Sequence, residues 1–442
     1  MFQETIAAIS TPLQDGAISI IRMSGDQAIE IANSIFDKDL SKKESHTITY
    51  GFIMDQGEPV DEVLVSLFRA PKTYTREDIV EINAHGGRFV TRKILSLLLA
   101  HGAKLAEPGE FTARAFYNGR IDLSQAEAVN DLIEARNDNA ASMAIYGIRG
   151  SVRKMLEPLI QKILDIIANI EVNIDYPEYD DVEELTANKL LPMTNEWLEE
   201  IEKILKKAQT GQLLKNGINT VILGKPNVGK SSLLNALLEE DKAIVTDIPG
   251  TTRDIVEGAI NLHGLQLNLI DTAGIRESED VVEQIGIEKS RQKLEEADLV
   301  LLLVDGSQPL DEADQQLIEL VKDKKHLILF NKADQALEKE EGKIWISAQN
   351  NDLKQLVDAL EKMYEQNELK EQAILSNERQ IGLLMQSHEA MMKAKQAMEM
   401  DMEPDLIEID IQSAYTHLKE ILGEVSRDDL LDTLFSNFCL GK

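Results

Sequence analysis

Residues Gly224 to Ser231 read Gly-Lys-Pro-Asn-Val-Gly-Lys-Ser, a match to G-x-x-x-x-G-K-[ST]. No other stretch so limits what the chain can fold into. A loop of this kind needs a buried strand running in and a helix running out, so that backbone amides converge on a di- or triphosphate. Val221-Ile222-Leu223 supplies the strand, and Ser232 to Leu238 supplies the helix. The helix N-terminus, with its unpaired amides and positive dipole end, then favours phosphate charge. The loop amides run through Asn227, Val228, Gly229, Lys230, Ser231 and Ser232. Lys230 is placed to reach the outer phosphates, and the Ser231 hydroxyl to ligate Mg2+.

Between roughly residues 217 and 370, strand-like and helix-like segments alternate, as in an α/β domain. The apolar runs at 221–223, 267–270, 299–304 and 327–330 suit buried parallel strands. Such open sheets bind ligands at the strands' carboxyl ends, and the remaining motifs fall there. Asp271-Thr272-Ala273-Gly274 follows one strand; Asp271 is expected to hold Mg2+ through water, and the Gly274 amide to sense a γ-phosphate. Asn331-Lys332-Ala333-Asp334 follows another. A carboxylate at Asp334 matches the two adjacent N–H donors of guanine, whereas adenine would leave it unpaired. Ser347-Ala348 supplies a backbone contact to the guanine oxygen. These elements together predict GTP and GDP as ligands. Thr246 to Asp254 reads as a switch loop ordered by γ-phosphate and Mg2+. Ile275 stands where many regulatory GTPases carry a water-orienting glutamine.

Residues 1–118 read as a compact α+β domain. Strands are expected at 17–22, 63–68 and 78–83, with helices at 27–36 and 89–100. Arg22 and Glu81 lie within strand-like stretches, either on an exposed face or aimed into a pocket, and His85 beside two glycines is similarly open. From Asp122 to about Gln212 the pattern is helical, with Leu156, Leu159, Ile160, Ile163, Ile166, Ile167 and Ile170 forming one stripe. Pro158 either occupies that helix's first turn or kinks a longer one. Asp175 to Glu184 reads as a solvated acidic loop, a helix follows from about Met193 to Ala208, and the segment from about 371 is helical again. The expected plan is a helical domain, 119–216 plus 371–442, interrupted by a nucleotide domain at 217–370.

The chain has 442 residues, with 46 basic against 78 acidic side chains and a net charge of -32. That balance disfavours an unaided grip on a polyanion, so a nucleic-acid role is expected to be local or shared with a more basic partner. No apolar run is long enough to span a bilayer, the N-terminus lacks a signal pattern, and the single cysteine, Cys439, excludes an internal disulfide. The expectation is a cytoplasmic protein.

The phosphate loop, Gly250-Thr251-Thr252-Arg253-Asp254, the apolar Ile275, Pro108-Gly109-Glu110-Phe111, Asn118-Gly119-Arg120-Ile121-Asp122-Leu123 and the terminal Phe438-Cys439-Leu440-Gly441-Lys442 together resemble the MnmE (TrmE) family. That family comprises tRNA-modifying GTPases acting on the wobble uridine, and the resemblance runs the whole chain. It implies a tetrahydrofolate-binding-like N-terminal α+β domain that dimerises, and a helical domain carrying an inserted P-loop G domain. It implies K+ held by Asn227 with oxygens around Thr246, Ile248 and Thr251; Thr252 joining Ser231 on Mg2+; and Glu283 orienting the attacking water. Glu283 otherwise reads as one charge in a solvated stretch. Arg22, Glu81, Arg120 and Lys442 match folate-contacting positions, with the cofactor a 5-formyl or methylene tetrahydrofolate. Cys439 matches the family's C-x-G-K tail. The implied partners are a second copy of the chain, an MnmG-type FAD protein, and tRNA reached through that complex. A ribosome-assembly or regulatory GTPase switch without one-carbon chemistry is the competing expectation, although no basic RNA-binding tail is present; a free-standing folate transferase with a vestigial G domain is a third.

Overall fold

The computed structural model describes residues 4–175, 189–240, 256–262, 265–270, 294–336, 338–364, 374–425, 431, 434–436, 438 and 441. The chain forms two compact units. The first holds residues 1–133, 147–191 and 389–442, the second residues 134–146 and 192–388.

In the first unit, six strands form one mixed sheet: β1 (Ile6–Ile9), β2 (Ile18–Ser24), β3 (Thr47–Asp55), β4 (Glu58–Phe68), β5 (Ile79–His85) and β6 (Lys104–Leu105), in the order β3-β4-β5-β2-β1-β6. All neighbours are antiparallel except β1 and β6. Side chains alternate across a pleated strand. On β5, Val80, Ile82 and Ala84 are buried, and on β2 Ile21 and Met23 are buried, against the helices Ala28–Ile35 and Arg88–Ala100. Glu81 and Arg22 therefore project together from the opposite face, and the register sets them directly across from each other. The expected strands and helices of this region are present; β1 and β3 lacked a clear signal in the sequence.

Helices Glu110–Tyr117 and Leu123–Glu134 continue the unit, and their apolar faces take up Leu431, Phe435 and Phe438 of the C-terminal tail. The stripe foreseen from Leu156 to Ile170 lies on one helix, Ser151–Asp175, which packs against the helix Pro404–Ile421. Pro158 sits inside that helix and past its first turn. Asp175 closes the helix; the rest of the expected acidic loop, 176–184, lies outside the described residues.

The second unit is built on a sheet of β7 (Ile218–Gly224), β8 (Val256–Leu262), β9 (Leu265–Ile270), β10 (Leu299–Asp305), β11 (His326–Asn331) and β12 (Ile344–Trp345), in the order β12-β11-β10-β7-β9-β8. Pairs are parallel except the β8–β9 hairpin. Central β10 is buried from Leu299 to Val304, so it shows no alternation and reads as an unbroken apolar run. The helix expected at 193–208 extends over Leu191–Asn216.

Candidate functional sites

β7 leads into the phosphate loop and the helix Lys230–Glu240 leads out of it. Gly224 has φ +153 and Gly229 has φ +100, backbone that a side chain would strain. An added Cβ at Gly229 would lie 2.2 Å from Asn331 Nδ2, so the loop and β11 are in close contact only because that residue is glycine. Asn227 also has a positive φ, +62, at an exposed position. Lys230 Nζ donates to the carbonyls of Gly224 and Lys225, each at 2.8 Å, and burial holds its ammonium below the ordinary lysine value.

Asn331, at the end of β11, ties the site together. Its Nδ2 donates to Val228 O at 2.8 Å, and its Oδ1 accepts from the Ala348 amide at 3.0 Å. One buried carboxamide thus joins the phosphate loop to the segment foreseen to touch the guanine oxygen. Ser347 Oγ donates to Asp334 Oδ1 at 2.7 Å, and that hydroxyl, followed by the residue's own backbone amide, holds the Asp334 carboxyl below the ordinary carboxylate range. Lys332 Nζ pairs with Asp305 Oδ2 at 2.6 Å. Asn227, Val228, Gly229, Lys230, Ser231, Asn331, Lys332, Asp334, Ser347 and Ala348 accordingly gather at the carboxyl ends of β7, β10 and β11 and beside β12. Thr246, Ile248, Thr251, Thr252, Asp271, Gly274, Ile275 and Glu283 lie outside the described residues. Among those described, no group of three or more His, Cys, Asp and Glu side chains could hold a metal. The Ser231 hydroxyl, in the first turn after the loop, is a hard oxygen of the kind Mg2+ takes. The Asn227 carboxamide, at an exposed position, likewise carries a hard oxygen that fits a monovalent cation.

A second site lies in the first unit, on the face where Arg22 meets Glu81. Arg22 Nε donates to Glu81 Oε1 at 2.7 Å. Both line a cavity of about 560 Å³ together with Arg120, Tyr74, Phe68 and Lys72. The Arg120 guanidinium stands 4.8 Å from the Tyr74 ring centre. Arg22 Nη1 also donates to Gly441 O at 3.3 Å, and Ser10 Oγ donates to the same carbonyl at 3.2 Å. The open question about Arg22 and Glu81 is thereby answered: they face a pocket, and the C-terminal tail reaches it. Lys442 and Cys439 lie outside the described residues. Sequence reasoning missed Tyr74 and Phe68, for which no local pattern signals a wall. His85 is exposed and pairs with Asp61 at 2.7 Å, which raises its pKa.

Residues 5–120 match the family described as GTP-binding protein TrmE N-terminus, and residues 123–439 match the MnmE helical domain. The chain is similar to the tRNA modification GTPase MnmE of Streptococcus thermophilus, at 50% identity over 99% of this chain and 98% of the relative. It is equally similar, at 50% identity and the same coverage, to the proteins of that name from Lactococcus lactis subsp. cremoris and Lactobacillus delbrueckii subsp. bulgaricus. Among the described residues, no helix is long and apolar enough to cross a membrane.

Proposed function

The chain belongs to the MnmE family of tRNA modification GTPases, and from that membership we propose that its GTP cycle drives a tetrahydrofolate-dependent one-carbon modification of the tRNA wobble uridine. The observation that carries the reading is the coexistence of a guanine-nucleotide site with the Arg22–Glu81–Arg120 cavity. A folate is a flat, hydrogen-bonding pterin joined to an anionic glutamate. Tyr74, Phe68 and Ile79 offer apolar and aromatic wall for a ring, Glu81 an acceptor for amino groups, and Arg22, Arg120 and Lys72 positive charge for carboxylates. A regulatory switch without one-carbon chemistry has no use for such a cavity. Lys442 is assigned to the same cofactor, since neighbouring Gly441 already meets Arg22.

In the nucleotide site, Ser231 and Thr252 would hold Mg2+, with Asp271 acting through water and the Gly274 amide sensing the γ-phosphate. Asn227 with Thr246, Ile248 and Thr251 would hold K+, a fixed positive charge where negative charge develops. Lys230 neutralises the outer phosphates, the Ser232 amide completes the cradle, and Glu283 orients water. We assign the chain to the cytoplasm, as a homodimer working with an MnmG-type FAD protein that supplies tRNA-binding surface the net charge of -32 disfavours here. The domains proposed are 1–118, 119–216 with 371–442, and 217–370.

The test is a paired measurement on the full chain. Titration with 5-formyltetrahydrofolate should saturate and weaken at least about tenfold in Arg22→Met, the loss of a charge-assisted contact. GTP turnover should rise when K+ replaces Na+, and Asn227→Ala should abolish the rise. No folate binding, with equal rates in both salts, would leave the switch reading.

A further inference from the structure

Lys225, the second residue of the phosphate loop, is engaged at both its side chain and its backbone. The ammonium bridges Asp311 Oδ2 at 2.6 Å and Asp314 Oδ2 at 2.7 Å. The backbone carbonyl accepts from Lys230 Nζ at 2.8 Å. The two aspartates are themselves fixed at the start of the helix Glu312–Val321. Asp311 is its N-cap and accepts from the Asp314 amide at 3.0 Å, while Asp314 Oδ2 accepts from the Asp311 amide at 3.1 Å. Such a reciprocal capping box sets both carboxylates rigidly against the helix end. The Asp314 side chain is only 4% exposed, and its Oδ1 is buried without a hydrogen-bond partner among the described residues. The buried Asp314 carboxylate, with a second carboxylate beside it, needs a cation against it, because a buried charge stripped of its partner is strongly unfavourable.

We propose that Lys225 is a positioning residue for GTP hydrolysis: the helix end at Asp311 and Asp314 grips its side chain, which orients the backbone carbonyl that steers Lys230. The helix follows β10 and the loop follows β7, adjacent parallel strands, so the grip links two neighbouring strand ends across the mouth of the sheet. A surface ion pair of merely structural value would join the same atoms without acting on the nucleotide.

The experiment measures GDP affinity and GTP turnover in full-length variants. Lys225→Met keeps the aliphatic stem and removes the charge. It is expected to weaken GDP binding about tenfold, equivalent to about 1.4 kcal/mol, and to lower kcat as well as raise KM for GTP. Lys225→Arg, which keeps a cation able to bridge both carboxylates, should recover most of the loss. Asp311→Asn should weaken GDP binding alone, and Lys225→Met combined with it should be no worse than Lys225→Met, the signature of groups acting as a unit. Wild-type affinity in Lys225→Met overturns the proposal, as does full additivity, which would mean that the lysine touches the nucleotide directly. If Lys225→Met does not fold, Asp311→Asn decides: its aspartate is 59% exposed, and unchanged GDP affinity there overturns the proposal.

Discussion

Asp334 projects into solvent with one carboxylate oxygen fixed by the Ser347 hydroxyl at 2.7 Å. Because that hydrogen bond and the backbone amide depress its pKa, the group remains an anion from below the ordinary carboxylate value upward, and loses that charge only as pH falls through the lowered value. Guanine presents N1–H and an exocyclic amine side by side, so an anion held still is a matched acceptor pair. In Asp334→Asn, the amide turns a donor toward guanine's amine and leaves that amine unpaired. GTP kcat/KM should fall at least about a hundredfold, as when a site built for hydrogen bonding loses its partner. Xanthosine triphosphate carries an oxygen in place of the amine and should become the better substrate. Competition turnover with the two triphosphates measures this, and unchanged preference for GTP would place base selection elsewhere. This site was legible because each of its residues follows an apolar run that announces a strand end. Asn331 was foreseen as part of the nucleotide-binding motif; its bridge from Val228 O to Ala348 N was not, since it depends on how close β11 comes to a glycine 102 positions earlier, at Gly229.

At the scale of elements, the segment between β4 and β5 forms much of the cavity wall, supplying Lys72, Thr73 and Tyr74. It is held from beneath by a polar network. Arg114, 1% exposed on the helix Glu110–Tyr117, donates to Glu77 Oε2 at 3.1 Å and to Glu110 Oε1 at 2.8 Å. Glu77 in turn accepts from Ser24 Oγ at 2.7 Å, and Asn118 Nδ2 donates to Thr75 O at 2.6 Å. In the sequence these residues lie in three separate segments, and nothing local to a charged residue reveals that it will be buried. The same is true of Arg22 and Glu81: period-two alternation gave each a face, but only the β2–β5 register made them a pair. Arg114→Met removes the cation and leaves two carboxylates beneath the wall. The expected cost is about 3–5 kcal/mol of stability, the range for breaking a buried ion pair. Pairing it with Glu77→Gln should restore part of that loss. Chemical denaturation of the single and double variants measures both, and a single variant as stable as the parent chain would mean the network contributes no net stability.

Across the whole molecule, the first unit is closed by the last residues of the chain. Phe435 and Phe438 fill the apolar face of the helices that follow β6, and Gly109, at φ +70, accommodates the Phe435 carbonyl, which would lie 2.4 Å from an added Cβ. Gly441 rests on β1, where an added Cβ would sit 2.6 Å from Ile9 O, and its own φ is +86. Gly109, Phe438 and Gly441, far apart in sequence, are therefore parts of one packed structure beside the Arg22 cavity. The described nucleotide residues all belong to the other unit. Gly441→Val should separate the two activities. A β-branched side chain at positive φ carries about 1–3 kcal/mol of strain, and here it also meets a backbone carbonyl that cannot yield cheaply. The tail should detach, releasing the carbonyl that Arg22 and Ser10 hold. Affinity for 5-formyltetrahydrofolate should then drop about tenfold, since a lost ordering contact of roughly 1.4 kcal/mol corresponds to that factor. GTP turnover by the same preparation should stay within about twofold of the parent chain, because the contacts described for Gly441, to Ile9, Ser10 and Arg22, all lie within the first unit. Loss of both activities would show that the tail supports the nucleotide site as well, and loss of neither would remove it from the cavity.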